Sequence, residues 1–260
     1  MKPATSVDVT GASVQIRTHV PQYNPNAYTS YWVGLDLPND AFVQVGYVSW
    51  PSNEGYPQRF WEYFPPIAAG VGGGFHGDSE GQEVGPNDTW YTYRIESEGD
   101  TWYAYTNGIA VGSYDLGASN SAGSMPYAVA EVEGAYATNI PLGPVEFRDL
   151  EYRDMNSVWH NVSDAVAWVG YGVGSGTLPE GTHFPYGLEL IGVNDWIAGT
   201  GLSTTYNNTS LWSKSSAVPE FPSTPVPKST VSPDTTSTVL GKAQDEEACI
   251  VTRKACRLEC

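Results

Sequence analysis

Short runs of aromatic and β-branched residues, separated by Gly, Pro, Asn and Asp, recur along most of this chain. The most regular block has three of them, with Asn107-Gly108 between the last two: WYTYRIE, TWYAYT and IAVGSYDL. Asn-Gly between alternating strands favours a type I′ hairpin, because both turn residues need a positive φ. Runs spaced at roughly 8 to 12 residues are typical of sandwiches and jelly rolls. The pattern therefore predicts an all-β, two-sheet antiparallel β-sandwich.

Changes in composition divide the chain into three segments. We predict one β-sandwich domain over 1–215, which is long enough to bury a full core at 40% hydrophobic residues. A Pro/Ser/Thr-rich stretch over 216–241 is expected to be a disordered linker. A short tail over 242–260 holds all three cysteines, whose spacing does not match the paired CxxC pattern of a zinc site.

The charge balance excludes some partners. Twelve Lys and Arg residues against 29 Asp and Glu give a formal net charge of -17. An acidic body would repel nucleic acid and anionic lipid. Because no apolar run is long enough to span a bilayer, we expect no membrane insertion. The charge suits an exported protein, so we expect an extracellular or cell-surface location, while the oligomeric state is left open.

Polar side chains interrupt several predicted strands. In FVQVGYVSW, alternation puts Val43, Val45 and Tyr47 on the better core face and Gln44 on the opposite face, beside Gly46. RFWEYF presents Glu62, and AVAEVEG presents Glu131, in the same way. Such residues either face solvent as an ordinary sheet surface or belong to a binding site.

Other catalytic patterns are absent from the sequence. The four histidines are scattered without metal-ligand spacing, and there is no GxSxG motif for a serine nucleophile. The sequence therefore predicts neither a cofactor nor a metal site.

Four short motifs occur in an order that resembles a known family. They are WVGLD from Trp32 to Asp36, QVG from Gln44 to Gly46, FWEYFP from Phe60 to Pro65, and AE at Ala130-Glu131. Their order and spacing are similar to those of the eqolisins, the glutamic peptidases. The family's corresponding strands read WVGID-like, QTG, WYEWYP-like and AEW.

The resemblance implies a fold, a chemistry and a set of site residues. The fold would be a concanavalin A-like jelly-roll sandwich, and the protein would be an acid endopeptidase that hydrolyses polypeptides without a cofactor. Carried over to this chain, the catalytic pair is Gln44 and Glu131. Glu131 would act as general base, and the Gln44 amide would donate to the oxyanion. Trp32, Asp36 and Glu62 would shape the substrate cleft.

The chain departs from the family pattern at three positions. Val48 stands where the family tends to carry an acid, Phe60 stands for the first Trp of WYEWYP, and Val132 stands for the Trp that follows AE. These departures leave open an alternative, a non-catalytic lectin-like or cell-surface protein on the same fold. In that case aromatic side chains such as Trp90, Trp102 and Tyr105 would stack on the sugar rings of glycans.

Overall fold

The computed structural model is almost entirely β in the part of the chain that it describes. The residues it describes are 1–3, 7–20, 27–49, 56–65, 74–77, 84–85, 87–134, 141–163, 165–166, 186–192 and 194–202. The predicted linker (216–241) and the cysteine-containing tail (242–260) lie outside these residues. Within them, helical structure is limited to two 3₁₀ turns, Pro38–Asp40 and Ala118–Asn120. No described helix is both long and apolar enough to cross a bilayer.

The first large sheet has five antiparallel strands. In spatial order these are β10 (Met125–Gly134), β3 (Ala27–Asp36), β4 (Phe42–Ser49), β5 (Pro57–Phe64) and β6 (Gly74–Gly77). Strands β4 and β5 are consecutive in the chain, whereas β10 joins β3 from far along it. The sheet therefore brings together every motif of the family resemblance.

The second large sheet has eight strands. Its main order is β14 (Tyr186–Leu190), β15 (Asp195–Thr200), β11 (Val145–Arg153), β2 (Gly11–Arg17), β7 (Trp90–Glu98), β8 (Thr101–Thr106) and β9 (Ile109–Asp115). Strand β12 (Trp159–Asn161) also pairs with β11. A separate two-stranded ladder joins β1 (Lys2–Pro3) to β13 (Ala165–Val166). All pairings among the described strands are antiparallel, which confirms the predicted fold class.

The two large sheets pack face to face around one apolar core. Val43, Val45 and Tyr47 of β4 all lie in this core, as their alternation predicts. Across the interface, the rings of Tyr47 and Tyr93 have centroids 6.2 Å apart. Burying an apolar side chain of this size stabilises the folded state by about 1.5–3 kcal/mol. Contacts of this kind therefore hold the sheets together.

The β7–β8–β9 meander matches its prediction in detail. Asn107 and Gly108 have φ of 50° and 78°, as the predicted turn requires. The Asn107 side-chain oxygen also accepts the backbone N–H of Thr92 at 2.8 Å. The structure adds four strands that the sequence patterns did not indicate: β1, β6 inside the glycine-rich connection, β12, and β15 over DWIAGT.

Trp102 corrects one expectation about the aromatic residues. Its side chain lies in the core with 2% of its surface exposed, and its indole N–H donates to the Asn120 carbonyl at 2.7 Å. The prediction that Trp102 is an exposed stacking platform is therefore wrong. In TWYAYT aromatic residues occupy both faces of the strand, so hydrophobicity alone could not distinguish the inner face from the outer one.

Candidate active site

The predicted site residues share one surface, the outer face of the five-stranded sheet. Gln44 and Glu62 are register partners on β4 and β5. On β3 and β10, Trp32, Asp36 and Glu131 occupy the same face, because strand side chains alternate and these strands pair in register. The structure therefore places these polar groups on one face of the sheet.

This face is not an ordinary solvated surface. Trp32, Val48 and Phe60 form a second apolar cluster on it, with 8%, 2% and 3% of their surfaces exposed. Four half-buried residues pack against this cluster: Tyr28, Phe42, Tyr127 and Val129. The polar groups therefore lie among aromatic and aliphatic side chains, where hydrogen bonds and charges interact more strongly than in water.

Gln44 and Glu62 form the central contact of the site. Both are buried, with 7% and 3% of their surfaces exposed. The Gln44 Nε2 donates a short hydrogen bond to the Glu62 Oε2. A bond from an amide to a carboxylate is charge-assisted and holds both groups in one geometry. The structure thus pairs Gln44 with the glutamate that the sequence assigned to cleft support.

Glu131 is held by two other donors. Its Oε2 accepts hydrogen bonds from the Ser30 hydroxyl and from the Trp32 indole N–H, each at 3.0 Å. Ser30 is the register partner of Glu131 on β3, and Trp32 is two residues further along the same face. Sequence patterns did not single out Ser30, although its place two residues before Trp32 puts it on the same face.

The Trp32 indole lies between Glu131 and Gln44. One edge donates to Glu131, while the benzo edge extends over Gly34, where a Cβ would come within 2.9 Å of the ring. The Phe42 ring meets the indole edge-on, with centroids 5.6 Å apart. Gly34 is the register partner of Gln44, so the indole covers the sheet beside the Gln44–Glu62 pair.

The structure does not bring Gln44 and Glu131 together. They are two strands apart, since β3 lies between β4 and β10, and four residues apart along the strands. These offsets correspond to about 10 Å across the sheet and about 13 Å along it. The residue that faces Gln44 across Gly34 is Tyr127, and the next on that face of β10 is Val129. Tyr127 donates a short hydrogen bond from its hydroxyl to Asp36.

Two of the three positions that depart from the family pattern, Val48 and Phe60, belong to this second apolar cluster, whereas Val132 packs against the main core. Val48 and Phe60 are both buried there, and Phe60 is the register partner of Gly46. An acid at position 48 would be buried among apolar groups at a considerable cost in free energy. Gly46 is needed for close packing, because a Cβ there would lie 2.0 Å from the Tyr31 carbonyl oxygen. Among the described residues, no three His, Cys, Asp or Glu side chains are arranged to hold a metal ion.

Comparisons with known proteins give structural likenesses at low identity. No family model matches the chain, and no curated protein does. Scytalido-glutamic peptidase, solved with a peptide-based transition state analog, is 13% identical, with a TM-score of 0.46 over 76% of this chain and 95% of that chain. SCP-B, a member of the eqolisin family solved with the tripeptide Ala-Ile-His, is 12% identical, with the same TM-score and coverage.

Glucanases are also among the solved structures that resemble this chain. The Bacillus licheniformis beta-glucanase is 14% identical, with a TM-score of 0.34 over 52% of this chain and 57% of that chain. The similar structures thus include both peptidases and glycan hydrolases. Identities of 12% to 14% are too low for residue roles to be transferred from any of these proteins.

Proposed function

We propose that this chain is an exported acid endopeptidase of the glutamic type, with its active site on the outer face of the five-stranded sheet. The observation that carries the proposal is the hydrogen bond between Gln44 and Glu62 at the centre of that face. Peptide hydrolysis needs a base for the attacking water, a donor for the oxyanion and an acid for the leaving amine. One amide and one carboxylate within hydrogen-bonding distance can supply all three.

In the proposed reaction Glu62 acts first as base and then as acid. Its carboxylate takes a proton from a water molecule as the water oxygen attacks the peptide carbonyl carbon. The Gln44 Nε2 carries two protons: one faces Glu62, and we assign the other to the oxyanion of the tetrahedral intermediate. When the C–N bond breaks, Glu62 returns its proton to the leaving amine and is again a carboxylate.

Glu131 is the rival base, and its catalytic role stays a prediction. Its present partners are Ser30 and Trp32, and it is two strands away from Gln44. We therefore assign it to holding the Trp32 indole against the sheet, with Asp36 and Tyr127 bracing the same face at the end of β3. Catalysis by Gln44 and Glu131 together would require the substrate to reach across the indole.

The acidic composition of the chain favours an enzyme that acts in an acidic extracellular medium. At pH 7 the formal charge is -17, and the pI is about 4.4. Repulsion between the negative charges of the protein therefore falls as the medium is acidified towards the pI. In the same acidic range many other proteins unfold and expose their peptide bonds. We propose an extracellular or cell-surface location on this ground, which immunodetection on intact cells and in the culture medium would test.

The decisive experiment is digestion of an acid-unfolded protein at about pH 4. Wild type, Glu62→Gln and Glu131→Gln would be compared after thermal unfolding has shown that all three are folded. Loss of cleavage in Glu62→Gln, with cleavage retained in Glu131→Gln, is the expected result.

Two other results would change the assignment. Loss only in Glu131→Gln would return the base to Glu131 and remove Glu62 from the mechanism. No cleavage by the wild type at any pH between about 2 and 6 would overturn the peptidase proposal. In that case the same face would be a non-catalytic polymer-binding surface, and glycan binding to wild type and Glu131→Gln would be measured next.

A further inference from the structure

The opposite side of the sandwich carries a second distinctive surface. On the outer face of the eight-stranded sheet, planar side chains form a half-exposed strip that we call the aromatic–arginine band: Trp90, Arg94, Tyr105, Arg148 and Trp159. Tyr93 and Ile95, which alternate with the β7 members of the band, are buried in the core, so the band faces away from it. It is on the other sheet from Gln44 and Glu62.

Guanidinium groups stack on the aromatic rings of the band. The Arg148 guanidinium carbon lies 4.0 Å from the centroid of the Trp90 ring. The Arg94 guanidinium carbon lies 4.5 Å from the Tyr105 ring and 6.0 Å from the Trp159 ring. Stacking of this kind is attractive and favours parallel planes. The band therefore presents flat groups already held in place.

Hydrogen bonds fix the band further. Gln15 Oε1 accepts from both Nε and Nη2 of Arg148, at 3.0 and 2.8 Å, and Gln15 Nε2 donates to Asp149 at 2.9 Å. These side chains alternate donors with acceptors along the surface. Because the arginine is held before any ligand arrives, a ligand would lose little free energy in ordering the site.

Each arginine in and beside the band lies near at least one carboxylate. Arg94 lies 3.4 Å from Glu96, and Arg148 lies 3.8 Å from Asp149. Beside them, Arg17 contacts Glu146 at 2.6 Å and Asp88 at 3.3 Å. These three arginines and four carboxylates sum to a formal charge of -1, in a chain with a net charge of -17. A charged polymer would therefore gain little binding free energy from this surface. Hydroxyl groups both donate and accept hydrogen bonds, so they match its alternating donors and acceptors.

We propose that the aromatic–arginine band binds a neutral polysaccharide chain. Pyranose rings would stack on the planar groups through their apolar faces, while their hydroxyls bond to the arginines and to their acidic and amide neighbours. Trp90 and Arg94 are about 13 Å apart along β7, which favours a chain of several sugars over a single one. The proposal does not depend on the peptidase assignment, since the two surfaces are on different sheets.

Affinity electrophoresis of the full chain in native gels tests the proposal. The gels would contain hydroxyethylcellulose, soluble β-1,3-glucan or soluble starch as neutral polymers, and polygalacturonate as the acidic one. We expect at least one neutral polymer to retard the wild type and polygalacturonate to have no effect. Trp90→Ala and Tyr105→Ala should each weaken the affinity of the protein for the retarding polymer about tenfold, because each removes one ring on which a sugar can stack.

Matched variants separate binding from folding. Trp90→Phe keeps a ring and should retain part of the affinity. Tyr56→Ala removes an aromatic side chain that is 52% exposed and lies outside the band, so it should bind like the wild type. Glu62→Gln, on the other sheet, should also bind like the wild type, whatever its effect on peptide cleavage.

Three outcomes would overturn the proposal. The first is no retardation by any of the three neutral polymers. The second is retardation that Trp90→Ala and Tyr105→Ala leave unchanged, because the binding surface would then lie elsewhere. The third is stronger retardation by polygalacturonate than by the neutral polymers, which would contradict the inference drawn from the paired charges.

Discussion

Gln44 and Glu62 face each other across β4 and β5 and share a hydrogen bond between their side chains while both are almost wholly buried. A buried carboxylate must obtain from protein donors what it would otherwise obtain from water. Gln44 Nε2 is one of those donors. The pair therefore affects stability as well as the proposed chemistry, and the two effects can be measured separately.

Gln44→Ala should destabilise the folded protein by about 2 kcal/mol, because it removes a donor from a buried carboxylate. The free energy of unfolding would be measured in urea at pH 7. Gln58→Ala is the control, since Gln58 lies on β5 but is half-exposed. Equal losses in the two variants would show that the bond to Glu62 contributes nothing measurable.

The contact between Trp32 and Glu131 should appear as a coupling energy. Trp32→Phe keeps an aromatic ring but removes the indole donor, and Glu131→Gln removes the charge. In a double-mutant cycle the interaction term should be about 1 kcal/mol, as expected for a hydrogen bond to a carboxylate that is partly exposed. Strictly additive effects would contradict the contact.

Gly46→Ala should destabilise the five-stranded sheet by about 2 kcal/mol or more, because the new methyl group would overlap the Tyr31 carbonyl and force the strands apart. Gly99→Ala provides the comparison: a Cβ there meets nothing within 4 Å, although the φ of 63° carries its own cost of about 1 kcal/mol. Thermal unfolding would rank the two variants. A smaller loss at Gly46 than at Gly99 would contradict the close approach of β3 and β4.

Asp154 gives a prediction of pH dependence. The backbone N–H of Val158, together with His160 and the N–H of Asn156, holds the pKa of Asp154 below its ordinary value. A lowered pKa means that the ionised carboxylate stabilises the fold above the ordinary pKa of about 3.9. This stabilisation is lost as the pH falls through the lowered pKa.

Asp154→Asn should therefore lower the urea midpoint at pH 7. Its effect on the midpoint should become smaller as the pH falls below the ordinary pKa of an aspartate. Asp8→Asn, at an exposed position, is the control and should change the midpoint little. If the urea midpoint of Asp154→Asn stays below that of the wild type by the same amount down to the lowest pH, the loss of stability comes from the turn geometry and not from the charge.

Strand alternation predicted much of this fold because it depends only on local sequence. It identified the core face of β4, the turn at Asn107-Gly108, and the non-core face on which Gln44, Glu62 and Glu131 each lie within their own strand. It could not identify which of these side chains meet, since that depends on the order and register of strands far apart in the chain. The pairing of β10 with β3 places Tyr127, not Glu131, opposite Gln44.

Two of the hydrogen-bonded contacts of the site differ greatly in the number of residues that separate their partners along the chain. Gln44 and Glu62 are 18 residues apart on consecutive strands, whereas Trp32 and Glu131 are 99 residues apart. Contacts between neighbouring strands can form early in folding, while distant ones wait until a long loop has closed. The β4–β5 pair can thus assemble before the sheet is complete. The contact between Trp32 and Glu131, by contrast, forms only when β10 has joined the sheet.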